Sequence, residues 1–314
     1  MIKNQTKVLI TGGGGYIGSV LVNELLKKKF NVTILDKFIF NQKKIIKNLY
    51  HKKIEIIEGD VRDSRLIKNT VKNFDIIIPL AAIVGAPLCK KNPNLTKSVN
   101  VKSVKILVNS LSKNQMILVP TTNSGYGIGK KNVYCTEKSP LKPVSLYGQT
   151  KVLAEKIILE HQNSCSLRLA TVFGTSPRMR VDLLVNDFVY KAFKNKKITL
   201  FEGHFRRNYI HINDVSRVFL FAIKNFEKFK NNIFNVGLSS ANLTKKELCD
   251  KIKKHIPDLF IEIDEFAKDP DKRDYIVSNK KLEKTGFQTK CSIDYGVKQL
   301  INYYKNNKKI YTNI

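Results

Sequence analysis

"KVLITGGGGYIGSVLVNELL", residues 7–26, joins a short apolar run to an amphipathic segment through consecutive glycines. Val8, Leu9 and Ile10 show no polar alternation, as a strand buried on both faces requires. From Tyr16 and Ile17 onward the apolar residues recur at helical spacing. Gly12, Gly15 and Gly18, spaced Gly-x-x-Gly-x-x-Gly, therefore sit at a strand-to-helix turn. Glycine there permits a tight turn, close backbone approach to a pyrophosphate and close packing of helix on strand. The helix start adds unpaired N–H groups and a positive dipole end, which suit phosphates. With a strand before it and a helix after it, this turn reads as a dinucleotide site.

Working outward, "NVTILD" (31–36), "IEIIEGD" (54–60), "DIIIPLAA" (75–82), "QMILVPT" (115–121) and "SCSLRLA" (164–170) are further strand-like runs. Amphipathic segments separate them, clearest at 98–113 and 146–162. Apolar strands alternating with helices predict an α/β, Rossmann-like, doubly wound parallel sheet. Later segments read as helices at 212–226, 244–255 and 294–305, with a late strand at 232–237. The expected division is a dinucleotide-binding domain over 1–170, to which 210–238 return. A smaller interleaved substrate part spans 171–209 and 239–314.

Composition narrows the function classes. A chain of 314 residues with 42% hydrophobic and 26% charged content is an ordinary globular protein. No apolar run approaches the roughly 18 residues of a membrane span, and the start shows no leader pattern, so a cytoplasmic protein is expected. Five cysteines without Cys-x-x-Cys spacing point to free thiols and no metal site. The net charge of +30 invites a nucleic-acid hypothesis. The lysines are scattered doublets with no aromatic interleaving, which fits a solvated surface that attracts an anionic substrate. A basic nucleic-acid-binding protein stays as the hypothesis from another class.

Strand ends locate the rest of the cofactor contacts. Asp36 closes the second strand, where a carboxylate accepts both ribose hydroxyls of NAD and repels the extra phosphate of NADP. Lys37 beside it weakens that preference without reversing it. Asp60 is placed to bond the adenine amine, Val61 to pack on the ring, and Leu80, Ala81 and Ala82 to lie along the pyrophosphate and ribose.

Together "TGGGGYIG", "GDVRD", "LAA", "SVNVKSVKILV", "YGQTK", "RLATVFG" and "RRNYIHINDV" span almost the whole chain. The sequence resembles an extended short-chain dehydrogenase/reductase of the NAD-dependent nucleotide-sugar epimerase/dehydratase family. Five Tyr-x-x-x-Lys pairs occur, at Tyr126, Tyr134, Tyr147, Tyr190 and Tyr304, so spacing alone chooses none. The resemblance selects Tyr147 with Lys151, opening a helix after Thr122 of "PTTNSGYG". In that reading Tyr147 is the base, Thr122 holds the same substrate oxygen, and Lys151 lowers the phenol pKa and bonds the nicotinamide ribose. A phenol near 10 needs about three units of depression, roughly 4 kcal/mol, to work at neutral pH. Asn100 would support the lysine through water, and Ala170 joins the cofactor contacts.

On the substrate side the resemblance makes Arg207 the arginine that grips a nucleotide diphosphate, a task suited to a guanidinium fork. Arg178, Arg180, Arg206 and Arg273 are further candidates, with Asn123, Ser124 and Thr171. Asn123 and Ser124 stand where dehydratases of the family carry an Asp-Glu pair and 3,5-epimerases a Cys. Elimination and 3,5-epimerisation are therefore disfavoured, leaving redox chemistry at C4. Several segments, among them "IIPLAAIVGAPLCKKNP", most resemble the GDP-manno-heptose 4-dehydrogenase type. That implies a GDP-sugar, with a UDP-sugar possible, and a bacterial surface-polysaccharide role. A 4-epimerase of the UDP-glucose type is the alternative. The resemblance further implies a homodimer joined through the helices at 98–113 and 146–162.

Overall fold

Seven strands form one parallel sheet in the order Asn232–Val236, Ser164–Leu169, Met116–Thr122, Ile76–Pro79, Lys7–Thr11, Asn31–Asp36, Glu55–Glu58. The computed structural model describes residues 6–50, 54–264, 266, 273–307 and 312; Lys308, partner of Tyr304 in the last Tyr-x-x-x-Lys pair, lies outside them. The chain starts in the middle of the sheet, builds outward twice, then crosses back to the far side of Lys7–Thr11. That reversal opens a crevice at the carboxyl ends of the strands Lys7–Thr11 and Ile76–Pro79, where ligands bind in doubly wound sheets. The fold is α/β and Rossmann-like.

Both faces of the sheet are buried, which explains the apolar runs. Val8, Ile10, Ile34 and Ile78 pack with Leu21, Val22, Leu25 and Phe219 on one face. Leu9, Leu35, Ile77 and Val119 pack with Val104, Leu107, Ala154 and Ile158 on the other. Each such side chain contributes about 1.5–3 kcal/mol by leaving water. A further core gathers Phe173, Val185, Val189, Leu248, Val297 and Leu300 in the C-terminal half.

The helix predicted at 98–113 differs from expectation. It begins at Pro93, runs to Asn109, and contains a π turn over Ser98–Lys102. Proline at the first turn costs no hydrogen bond and starts the helix early. The expected helix at 146–162 is observed over Leu146–Leu159, capped by Ser145, whose side chain accepts from Gly148 N. In the C-terminal half, Arg206–His211 pairs with Thr171–Phe173 in parallel and with Asn242–Thr244 antiparallel. Among the described residues no helix is long and apolar enough to cross a membrane, and all five cysteines are free.

Candidate active site

Gly12 lies at φ +71, and a Cβ there would sit 2.5 Å from the Ala81 nitrogen. A Cβ on Gly18 would meet the Gly13 carbonyl oxygen at 2.5 Å. The turn, the helix and the neighbouring strand end thus approach as closely as backbone allows, which only glycine permits. Gly15 caps helix Tyr16–Lys27 without a side-chain hydrogen bond, so no capping group occupies the first-turn N–H groups. Asp36 is buried; its carboxylate accepts from Gly14 N at 2.9 Å and Phe38 N at 2.7 Å. Burial pushes its pKa up, against the pull of those N–H donors. Arg62 and Lys37 both bind Asp60, and Arg62 above all holds its carboxyl far below the usual range. Gly12, Gly15, Asp36, Asp60 and Val61 line one end of a cavity of about 570 Å³. Tyr16, Ile17 and Gly18 line it with them, and Leu80, Ala81 and Ala82 continue its wall. These residues fit a dinucleotide.

The same cavity holds Thr122, Tyr147 and Lys151. Thr122 ends its strand; its hydroxyl donates to Ser124 Oγ at 2.9 Å and accepts from Ser124 N at 3.1 Å. Tyr147 is the second residue of its helix and lies close enough to Thr122 for that hydroxyl to pull its pKa down. Lys151 stands one helical turn on, buried. The expected depression of the phenol is not a property of the chain by itself. Burial pushes Tyr147 up to about 12, while the Arg273 and Arg180 guanidiniums and Thr122 pull it down. Burial likewise brings Lys151 down to about 8, with Glu155 opposing. Desolvation of a phenolate outweighs the nearby cations.

Asn100 does not reach the cavity lining. Its amide accepts from Ile83 N at 2.8 Å, donates to Ile83 O at 2.9 Å and donates to Thr150 Oγ1 at 3.2 Å. It pins the loop after Ile76–Pro79 to the helix carrying Lys151, a positioning role. The π turn that carries Asn100 aims it there, as such turns do at functional sites.

Of the substrate candidates, Ser124, Thr171, Arg178, Arg180, Arg207 and Arg273 line the cavity, as does Ala170 from the cofactor set. Arg273 donates to Ser124 Oγ. Arg180 is ion-paired with Asp182, both nearly buried. Arg206 is not part of the lining: it faces the other way from Arg207 and binds Asp274, because neighbours on a strand point to opposite sides. Asn123 also falls outside the lining, its amide buried without a partner among the described residues.

The remaining tyrosines have other engagements. Tyr126 donates to Asn235 Oδ1 at 2.7 Å and accepts from Arg168. Tyr134 is exposed on a short strand, and Tyr190 and Tyr304 meet edge to face at 5.2 Å. Sequence reasoning overlooked Glu155, buried one turn beyond Lys151 and bound by Arg168, Thr121 and Ser166. The i+4 spacing from Lys151 was its only trace. It also assigned no residue to the apolar wall formed by Val84, Pro87 and Leu88. Among the described residues no cluster could hold a metal ion.

Comparison with known proteins agrees with this geometry. A putative UDP-glucose 4-epimerase from Methanocaldococcus jannaschii is 26% identical over 312 residues, covering 96% of this chain and 99% of that protein. UDP-glucuronic acid decarboxylase 1 of Arabidopsis thaliana is 25% identical, covering 97% of this chain and 71% of its own. The structure of UDP-glucose 4-epimerase from Thermotoga maritima with UDP-glucose superposes with TM-score 0.85 at 22% identity, covering 96% and 99% of the two chains. The model of the NAD dependent epimerase/dehydratase family matches residues 8–237. The chain belongs to that family and uses NAD.

Proposed function

We propose that the protein oxidises the C4 hydroxyl of a nucleotide-linked sugar, with Tyr147 as base. The observation that carries this reading is the meeting of Thr122, Tyr147 and Lys151 in a cavity whose other end is the glycine turn. Tyr147, as phenolate, takes the hydroxyl proton; Thr122 orients that oxygen; Lys151 supplies positive charge beside the phenolate. NAD, when bound, accepts the hydride that leaves C4 as the ketone forms. Arg207, buried in the cavity wall, suits the diphosphate of the substrate. Ser124 is engaged by Thr122 and Arg273 and Asn123 is turned away, so no side chain there serves as acid and base for loss of water.

The first form of this reading is a 4-dehydrogenase acting on a GDP-heptose-like substrate in surface-polysaccharide synthesis, as the sequence segments around Val84–Leu88 suggest. A second form, the full 4-epimerase cycle on a UDP-sugar, is favoured by the full-length relative described as a putative UDP-glucose 4-epimerase. Incubation with GDP- and UDP-sugars, followed by NMR, decides between them. A 4-keto sugar with stoichiometric NADH supports the dehydrogenase, and inversion at C4 without net NADH supports the epimerase. No conversion of any of these sugars contradicts both. The protein is further read as cytoplasmic and as a homodimer joined through the helices at 98–113 and 146–162, the second of which leaves Leu153 exposed. A monomer at micromolar concentration on gel filtration would oppose that.

A further inference from the structure

The segment from Gly174 to Arg180 leaves the short strand Thr171–Phe173 and lies against helix Tyr16–Lys27, the helix that follows the glycine turn. The Tyr16 hydroxyl donates to Gly174 O at 2.6 Å, and Ser176 Oγ donates to Tyr16 O at 2.7 Å. Ser176 and Ser19 hydroxyls meet at 2.9 Å, and Arg178 N donates to Ser19 Oγ at 3.4 Å. Asn186 ties the segment at both ends, accepting from Gly174 N at 3.0 Å and donating to Arg180 O at 2.8 Å. It also donates to the Tyr16 hydroxyl at 3.2 Å. Buried hydrogen bonds at this density fix the segment in place.

Arg178 is thereby fixed beside the cofactor helix. Its guanidinium stacks over Phe40 at 5.2 Å, four residues past Asp36, and donates to Met179 O at 2.6 Å. Arg178 is buried and shares the cavity wall with Gly15, Ile17, Asp36 and Phe40. Residues 11–22 carry no charged side chain, so the glycine turn offers a diphosphate only N–H dipoles. Of the carboxylates at this end, Asp60 is paired with Arg62 and Lys37, while Asp36, among the described residues, accepts only from backbone N–H groups and adds negative charge. Arg180 is already committed to Asp182, and its charge is felt at Tyr147.

We propose that Arg178 is a cofactor residue, its guanidinium neutralising the pyrophosphate of NAD, so that the C-terminal half closes the dinucleotide site through the segment 174–180. A planar fork stacked on an aromatic ring is preorganised for a diphosphate. This replaces the substrate role that the sequence suggested for Arg178. It depends on NAD binding and not on which sugar is oxidised, so absence of C4 chemistry would leave it standing.

The test is calorimetric titration of the full chain with NAD, ADP-ribose, UDP and GDP. Arg178→Met keeps the stem over Phe40 and removes the charge; Arg178→Lys restores the charge without the fork. The expected result for Arg178→Met is a loss of about tenfold or more in affinity for NAD and ADP-ribose, with UDP and GDP unchanged. Arg178→Lys should lie between it and the parent, and decides alone, by the same pattern at smaller size, if the methionine chain does not fold. Unchanged NAD and ADP-ribose affinity, or an equal loss for UDP or GDP, overturns the proposal.

Discussion

Tyr147→Phe isolates one phenol among twelve tyrosines, and the difference in tyrosinate absorbance between it and the parent gives that phenol's titration directly. Burial pushes Tyr147 from the ordinary 10 to about 12 even with Arg273, Arg180 and Thr122 opposing. Two units are about 2.7 kcal/mol, and working at pH 7 requires about five units more, roughly 7 kcal/mol. One unit charge at 4 Å supplies about 4 kcal/mol at an effective dielectric of 20. A single cation is therefore too little and two suffice: the Lys151 ammonium and the positive ring of oxidised NAD. Lys151 itself titrates at about 8, lowered from 10.5, so it is charged below that pH and neutral above it. The expected result is no ionisation of Tyr147 below about pH 11 in the NAD-free protein. With NAD bound the step should fall by about three units, the share of one cation, and only below about pH 8 does the charged Lys151 add a further share, which Lys151→Met should remove. Ionisation near pH 7 without NAD, or a step that NAD leaves in place, would refute the reasoning.

Three further outcomes follow from named contacts. Glu155→Gln leaves the buried Arg168 guanidinium without its carboxylate, a loss of about 3–5 kcal/mol. At about 2.1 cal/mol/K per residue that lowers the unfolding midpoint by about 5–8 °C in thermal denaturation; a shift under about 1 °C would contradict the pair's importance. Asp36→Asn should weaken NAD about tenfold in titration and narrow its preference over NADP. An unchanged ratio would mean that Asp36 does not hold the ribose. Gly12→Ala drives a methyl into the Ala81 nitrogen at 2.5 Å, so NAD titration should show no binding and the midpoint should fall; parent-like NAD affinity would count against the close approach.

The glycine turn and the strand ends were legible because their chemistry is local: a φ of +71 at Gly12 and a carboxylate closing a strand depend on few neighbours. That Tyr147, and not another tyrosine of the same spacing, lines this cavity with Thr122 and Lys151 was legible only through the surrounding pattern. Arg206 and Arg207 show what spacing cannot supply. Both sit in one strand, and which one faces the cavity depends on pairing with Thr171–Phe173 and Asn242–Thr244. The setting of Asn100 was illegible for a related reason: one extra residue in a helical turn rotates every later side chain by about 100°, and nothing in "SVNVK" announces a π turn.

The adjacent threonines 121 and 122 carry this dependence into the reaction itself. Strand alternation sends their side chains to opposite faces. Thr121 donates to Glu155 at 2.9 Å and meets Ser166 at 3.0 Å, locking the strand to the helix that carries Tyr147 and Lys151. Thr122 is left facing Ser124 and the phenol. Glu155 also accepts from Arg168 on the next strand, so one carboxylate holds strand, helix and neighbouring strand in register. A slip of one residue would exchange the two threonines, placing the anchoring hydroxyl in the cavity and the orienting one beneath it. In the proposed reaction the position of Tyr147 is thus set less by the residues lining the cavity than by the buried charge pair behind them.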